Sequence, residues 1–168
     1  MRSDLEAFFR SDKELAIAPD WVVHDSEWLG FCCPIDVDGV TVDGYQLRAL
    51  AMLRVPDRHI ILQLEHHPPT EAGGAMCRME WRPMNSHNNK GVGPLAWRFK
   101  EIRCSHYHCF NLNWAHSERA VRRGQLPIAI PIEPDPPYFR EFLALVGKVY
   151  KIRNIQRISE PPWQPLIV

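Results

Sequence analysis

Apolar and polar positions change period along the chain. Leu5, Phe8, Phe9 and Leu15 recur at roughly helical intervals behind the capping-box spacing Ser3-x-x-Glu6. This predicts a helix over residues 4–15, closed by Pro19. From Trp28 the period drops to two. Asp38-Gly39 and Asp43-Gly44 supply the positive backbone angles of tight turns, so residues 31–37, 40–42 and 45–55 are expected to form a meander. A helical reading of 46–54 stays open, because both sides of that stretch carry apolar residues. Alternation resumes over 58–65, with Ile60, Leu62 and Leu64 inward, and over 75–82. There Ala75, Cys77, Met79 and Trp81 face one way and Met76, Arg78, Glu80 and Arg82 the other, until Pro83 stops the strand. Residues 84–96 read as an Asn- and Gly-rich loop, and 100–114 and 126–132 as strands.

Towards the C-terminus, Asp135 is placed to cap a helix with Pro136 at its first position. Phe139, Phe142, Leu143, Val146, Val149 and Tyr150 form its apolar stripe. The Pro-rich tail from about residue 159 is expected to be extended and pinned by Trp163. The sum is one α+β domain over residues 1–168, an antiparallel sheet of about five to seven strands with an N-terminal and a C-terminal helix.

Composition narrows the class. Of 168 residues 45% are hydrophobic and 24% charged, too apolar for a disordered chain, and no apolar run is long enough for a membrane span. The 15 prolines follow no period and mark loops. Five cysteines, Cys32, Cys33, Cys77, Cys104 and Cys109, form an odd set without a C-x-x-C pair or a leader before Ser3. That pattern points to reduced thiols in the cytoplasm and away from a zinc ribbon. Net charge is zero but unevenly spread. Residues 1–74 hold six Lys/Arg against thirteen Asp/Glu, whereas 75–125 hold nine against three. A basic middle suits an anionic partner such as nucleic acid, unless the acidic front half folds against it.

The chemistry concentrates in 102–114. As one strand, this stretch would place Ile102, Cys104, His106, His108, Phe110, Leu112 and Trp114 on one face, two imidazoles on a side otherwise meant for the core. Buried imidazoles need partners for both ring nitrogens. Three readings stay open. The rings could ligate zinc or another divalent cation, with Cys104 and with His87 or His116 arriving from loops. They could divide acid and base roles, as metal-independent RNA cleavage requires. Or they could be structural. In front of them, the loop 81–91 brings His87 and Lys90 near three asparagines, while Arg78 and Arg82 are expected to leave one strand face together and hold a phosphate or carboxylate.

Two resemblances follow from these residues. Arg78-x-Glu80, His87-Asn88, His106-x-His108 and Phe142-Leu143 resemble a group of small bacterial proteins with an Arg-x-Glu strand, a His-x-Asn loop, a His-x-His strand and a closing Phe-Leu helix. The pattern covers 78–150 and departs at Asn89-Lys90, where that group has Asn-Pro. It implies only that these residues occur together and carries no activity. His67-Pro68, Gly74 and Cys77 are similar to the His-Pro-Asn…Gly…Cys stretch of ubiquitin-conjugating enzymes, which would make Cys77 a thioester nucleophile. Pro69 stands where that family has its Asn.

The chain is therefore expected to be a small hydrolase or nuclease acting on an anionic phosphodiester. His106 and His108 would be catalytic with help from His87, and Arg78, Arg82 and Lys90 would hold the substrate. An E2-like protein using Cys77 and a non-catalytic binding or adaptor protein with a protein partner and structural histidines are the alternatives.

Overall fold

The computed structural model describes residues 4–166. Ser3, half of the expected capping box, lies outside them. Helix α1 (Asp4–Arg10) is shorter than expected because the chain turns extended at β1 (Glu14–Leu15). Lys13 explains the break. Its buried ammonium donates to Phe9 O, Ser11 O and Tyr150 O, so one side chain caps the C-terminal ends of two helices. Burial pulls that ammonium down to about 8.

Among the described residues eight strands form one sheet. After β2 (Val22–Val23) come β3 (Trp28–Val37), β4 (Val40–Met52), β5 (Ile60–His66) and β6 (Gly74–Trp81), followed later by β9 (His106–His108) and β10 (Ile130–Pro131). Neighbours run β1-β3-β4-β5-β6-β9-β10, with β2 also on β3, and every pairing is antiparallel. The α+β class and the meander hold. Asp38 and Gly39 both have positive φ, 51° and 76°, and make the tight β3–β4 turn. Asp43-Gly44 does not turn the chain. It sits in a bulge where Pro34 pairs with Gln46 but Asp36 with Thr41, so 40–52 is one strand and the helical reading of 46–54 falls.

One sheet face is apolar. Phe31, Cys33, Ile35, Leu47, Ala49, Leu62, Leu64, Cys77, Met79 and Trp81 are buried on it beneath α4 (Phe139–Tyr150). The ring of Phe142 stacks on Trp81 at 5.8 Å, Trp81 Nε1 donates to Pro136 O at 2.8 Å, and Tyr150 Oη donates to Leu62 O at 2.8 Å. Burying each Leu, Ile, Met or Phe side chain here contributes about 1.5–3 kcal/mol. Asp135 does not cap this helix, which starts four residues later behind Tyr138. Asp135 pairs instead with Arg82 at 3.6 Å. Trp163 packs against the core and Gln164 N donates to Leu53 O, so the tail is pinned as expected.

The region expected as a strand over 100–114 is broken. Short β7 (His87–Asn88) pairs with β8 (Glu101–Ile102) off the main sheet; β9 has three residues; α2 (Phe110–His116) and α3 (Glu118–Arg122) follow. Of the expected strand 126–132 only β10 is regular. Apolar residues at 110, 112 and 114 fit period two on paper, but Phe110 stacks on Trp114 at 5.2 Å, the i,i+4 contact of a helix. No helix among the described residues is long and apolar enough to cross a membrane.

Candidate metal centre

The two histidines of β9 lie on the face opposite the core, which corrects the expectation that they interrupt an apolar surface. Arg78 pairs in register with His108 and Glu80 with His106, so all four side chains share the polar face, while Tyr107 turns towards Tyr150. His106 and His108 are nonetheless 1% and 3% exposed. Segments 85–89 and 126–129 cover them.

That cover is built by unusual pairing. Asn89 Nδ2 donates to Ala129 O at 3.0 Å and its Oδ1 accepts from Ala129 N at 2.9 Å. Asn113 does the same to Ile128, at 2.8 and 2.9 Å. Leu126 O accepts from His108 Nδ1 at 2.7 Å, and Pro127 O lies 3.1 Å from His87 Nε2. A backbone segment outside any strand at 126–129 therefore has a ladder made of side chains.

These partners fix the imidazole tautomers. His108 Nδ1 faces Leu126 O and His106 Nδ1 faces Cys104 O at 3.0 Å, so both Nδ1 atoms carry the proton and both Nε2 atoms present lone pairs. The lone pairs point at one carboxylate: His106 Nε2 is 3.8 Å from Glu80 Oε2, and His108 Nε2 is 3.7 Å from Glu80 Oε1. These are too long for hydrogen bonds. Burial is the main cause that pulls both imidazoles below their ordinary value and keeps them neutral; Arg78 adds to it. Glu80, His106 and His108 offer ligand atoms within 4.8 Å of one another, a group that could hold a metal ion. Four-coordinate zinc with bonds of about 2.1 Å sets its ligands about 3.4 Å apart, so closure needs only small shifts.

The other expected residues divide. His87 comes to the site: its ring centre is 4.6 Å from that of His108 and 5.7 Å from that of His106. Its Nε2 faces Asn89 Oδ1 and Pro127 O, so it roofs the group from outside the three converging ligands. Arg78 is present too, with Nη1 3.4 Å from Glu80 Oε1, a buried Nε without a partner, and a side chain 31% exposed. Arg82 is turned away. Its φ of 46° breaks the strand alternation, and its guanidinium stacks on Trp81, donates to Pro137 O and pairs with Asp135. Lys90 is exposed in the turn after Asn89, at φ 51°. Cys104 contributes its carbonyl while its residue is exposed, and His116 is exposed at the end of α2. Cys77 is fully buried on the core face, and burial pushes its thiol up to about 12, the reverse of an activated nucleophile. His67 pairs with Glu65 at 2.8 Å.

Glu80 is the member of this candidate group that the reading of the sequence did not assign to the site. The signal was present, since Arg78-x-Glu80 places both on one strand face. What was lacking was the partner strand. Comparison of the chain with family models, with curated proteins and with solved structures returns no match.

Proposed function

We propose that Glu80, His106 and His108 bind a divalent cation of the zinc type, and that the protein is a metal-dependent hydrolase of an anionic substrate, a phosphodiester. The observation that supports this reading is the pair of Nε2 lone pairs turned on the two oxygens of one carboxylate, with no donor between them. Apart from the long contact of Arg78 Nη1 with Glu80 Oε1 at 3.4 Å, nothing that donates faces these three groups, and a cation would engage all of them at once. The backbone carbonyls at Nδ1 are the outer partners that metal-bound histidines use to hold their orientation.

Three protein ligands leave a further position for water or substrate, as catalytic zinc sites do. Glu80, whose side chain is 13% exposed, and Arg78 form the side of the group that meets solvent. A cation there would activate a water for attack on phosphorus and polarise the phosphoryl oxygen. The new P–O bond replaces the ester P–O bond, and the departing oxygen takes up the proton. Arg78 serves the substrate: the exposed edge of its guanidinium can take a phosphate oxygen beside the metal. Neutral imidazoles favour ligation over an acid–base pair, in which one ring would have to hold a second proton at neutral pH.

The test is elemental analysis of protein purified without a histidine tag, followed by turnover of bis(4-nitrophenyl) phosphate with zinc, manganese or none. About one equivalent of metal and metal-dependent hydrolysis, both lost in His106→Gln, are expected. Metal-free protein that stays metal-free under zinc titration overturns the site. Full metal without turnover of any phosphodiester overturns the hydrolase.

A further inference from the structure

A second cationic feature lies at the other end of β6. Arg119 and Arg122 on α3 and Arg123 at its C-cap are spaced i, i+3 and i+4 and line an open cavity of about 580 Å³ together with Glu71 and Ala72. That volume lies within the range of small-ligand sites. Its lining residues Glu71 and Ala72 precede Gly74 at the start of β6, about 20 Å along the strand from Glu80 at the rise of a β-strand.

The three arginines are not equivalent. Arg122 is fixed: both Nε and Nη2 bond Glu118 Oε1, at 3.1 and 2.7 Å, and its guanidinium lies 5.3 Å from the Trp114 ring centre. Arg119 and Arg123 have neither an acidic partner nor a hydrogen-bonded side chain among the described residues. Like charges at this spacing repel one another. Glu71 supplies a single opposing carboxylate on the cavity wall.

The backbone holds this arrangement tightly. A Cβ on Gly74 would come 2.7 Å from Gly124 Cα, and one on Gly124, whose φ is +72°, would come 2.9 Å from Gly74 Cα. Only two glycines allow the chain just after α3 to press against β6 this closely, next to Arg123.

We propose that this cavity binds a phosphate-bearing anion whose phosphoryl oxygens take the free guanidinium forks of Arg119 and Arg123, with Arg122 as a rigid third cation. Guanidinium forks match phosphate bidentately, and a ligand with two phosphoryl groups would neutralise Arg119 and Arg123, which pair with no carboxylate among the described residues. This site stands apart from the Glu80 group and does not depend on the hydrolase reading. The ligand's phosphates could come from a free diphosphate compound or from a nucleic-acid backbone.

Calorimetric titration with inorganic pyrophosphate, and separately with a short single-stranded DNA, tests it. In wild type and in His106→Gln, pyrophosphate is expected to bind. The double variant Arg119→Gln/Arg123→Gln is expected to weaken it at least tenfold, while Arg58→Gln, remote from the cavity, leaves it unchanged. DNA binding more tightly than pyrophosphate, with the same loss in the double variant, identifies the backbone as the source; pyrophosphate alone binding identifies the free compound. The ligand-free double variant should melt no lower than wild type, since repulsion is removed, so that lost binding is not lost folding. Binding of both probes unaffected by the double variant, or absent from wild type, overturns the proposal.

Discussion

Glu65 on β5 and Glu80 on β6 occupy the same polar face of the sheet on adjacent strands, and their neighbours carry opposite chemistry. Glu65 accepts from Gln46 Nε2 at 2.6 Å, from Gln63 Nε2 and from His67, and Arg48 stands 3.9 Å away. Burial alone would raise its carboxyl, but these donors outweigh burial and hold it below its ordinary value. Glu80 has one guanidinium beside it and, on the β9 side, two nitrogens that accept and cannot donate. A buried carboxylate is therefore not in itself a site. Donors complete the first, whereas the second has only the long contact from Arg78 and is a group that could hold a metal ion.

Removing ligands from the second group should have the largest effect. His108→Ala or Glu80→Gln is expected to reduce bound zinc from about one equivalent to below a tenth by elemental analysis, while Glu65→Gln keeps the full equivalent. Zinc lost from a folded Glu65→Gln protein would erase the distinction between the two carboxylates.

A smaller effect belongs to stability. Glu65→Gln turns an amide donor against donors and should cost about 1–3 kcal/mol in urea unfolding at neutral pH. The sign with pH follows from the depressed carboxyl. Glu65 contributes stability above its unfolded value near 4.5, and that contribution disappears as pH falls through its lower folded value. Wild type and Glu65→Gln should therefore converge in stability on acidification below about 4.5, and a constant gap between them would show that the charge is not what the donors hold.

The smallest effect is expected at Cys77. Cys77→Ala should leave phosphodiester turnover unchanged, and iodoacetamide should not label the native thiol, which lies sealed under the helix. Rapid labelling of the native protein would return Cys77 to consideration as a nucleophile.

Much of the sheet was legible because its strands obey period two on both faces. The meander 28–66 and the strand 74–81 came from alternation and from one Asp-Gly turn. The helix 139–150 came from its apolar stripe. The site was half legible. His106-x-His108 marked the place, and shared strand spacing kept Arg78 with it. The face was misjudged because residues 110–114 show apolar alternation that in fact belongs to a helix, so the histidines were attached to the wrong neighbours. Arg82 misled through a positive φ that side-chain pattern does not reveal. Glu80 could be recognised only once β6 and β9 were paired, since the sequence separates it from His106 by 26 positions of loop and strand.

The segment 126–129 has one further consequence. The amides of Ile128 and Ala129 give their hydrogens to buried asparagine oxygens instead of to a neighbouring strand. In heavy water these two positions should exchange as slowly as the centre of the sheet, because releasing either one means pulling an asparagine out of the interior and freeing the histidine roof with it. Deuterium uptake at 128 and 129 thus reports the opening of the cover over His106 and His108 from the backbone that forms it.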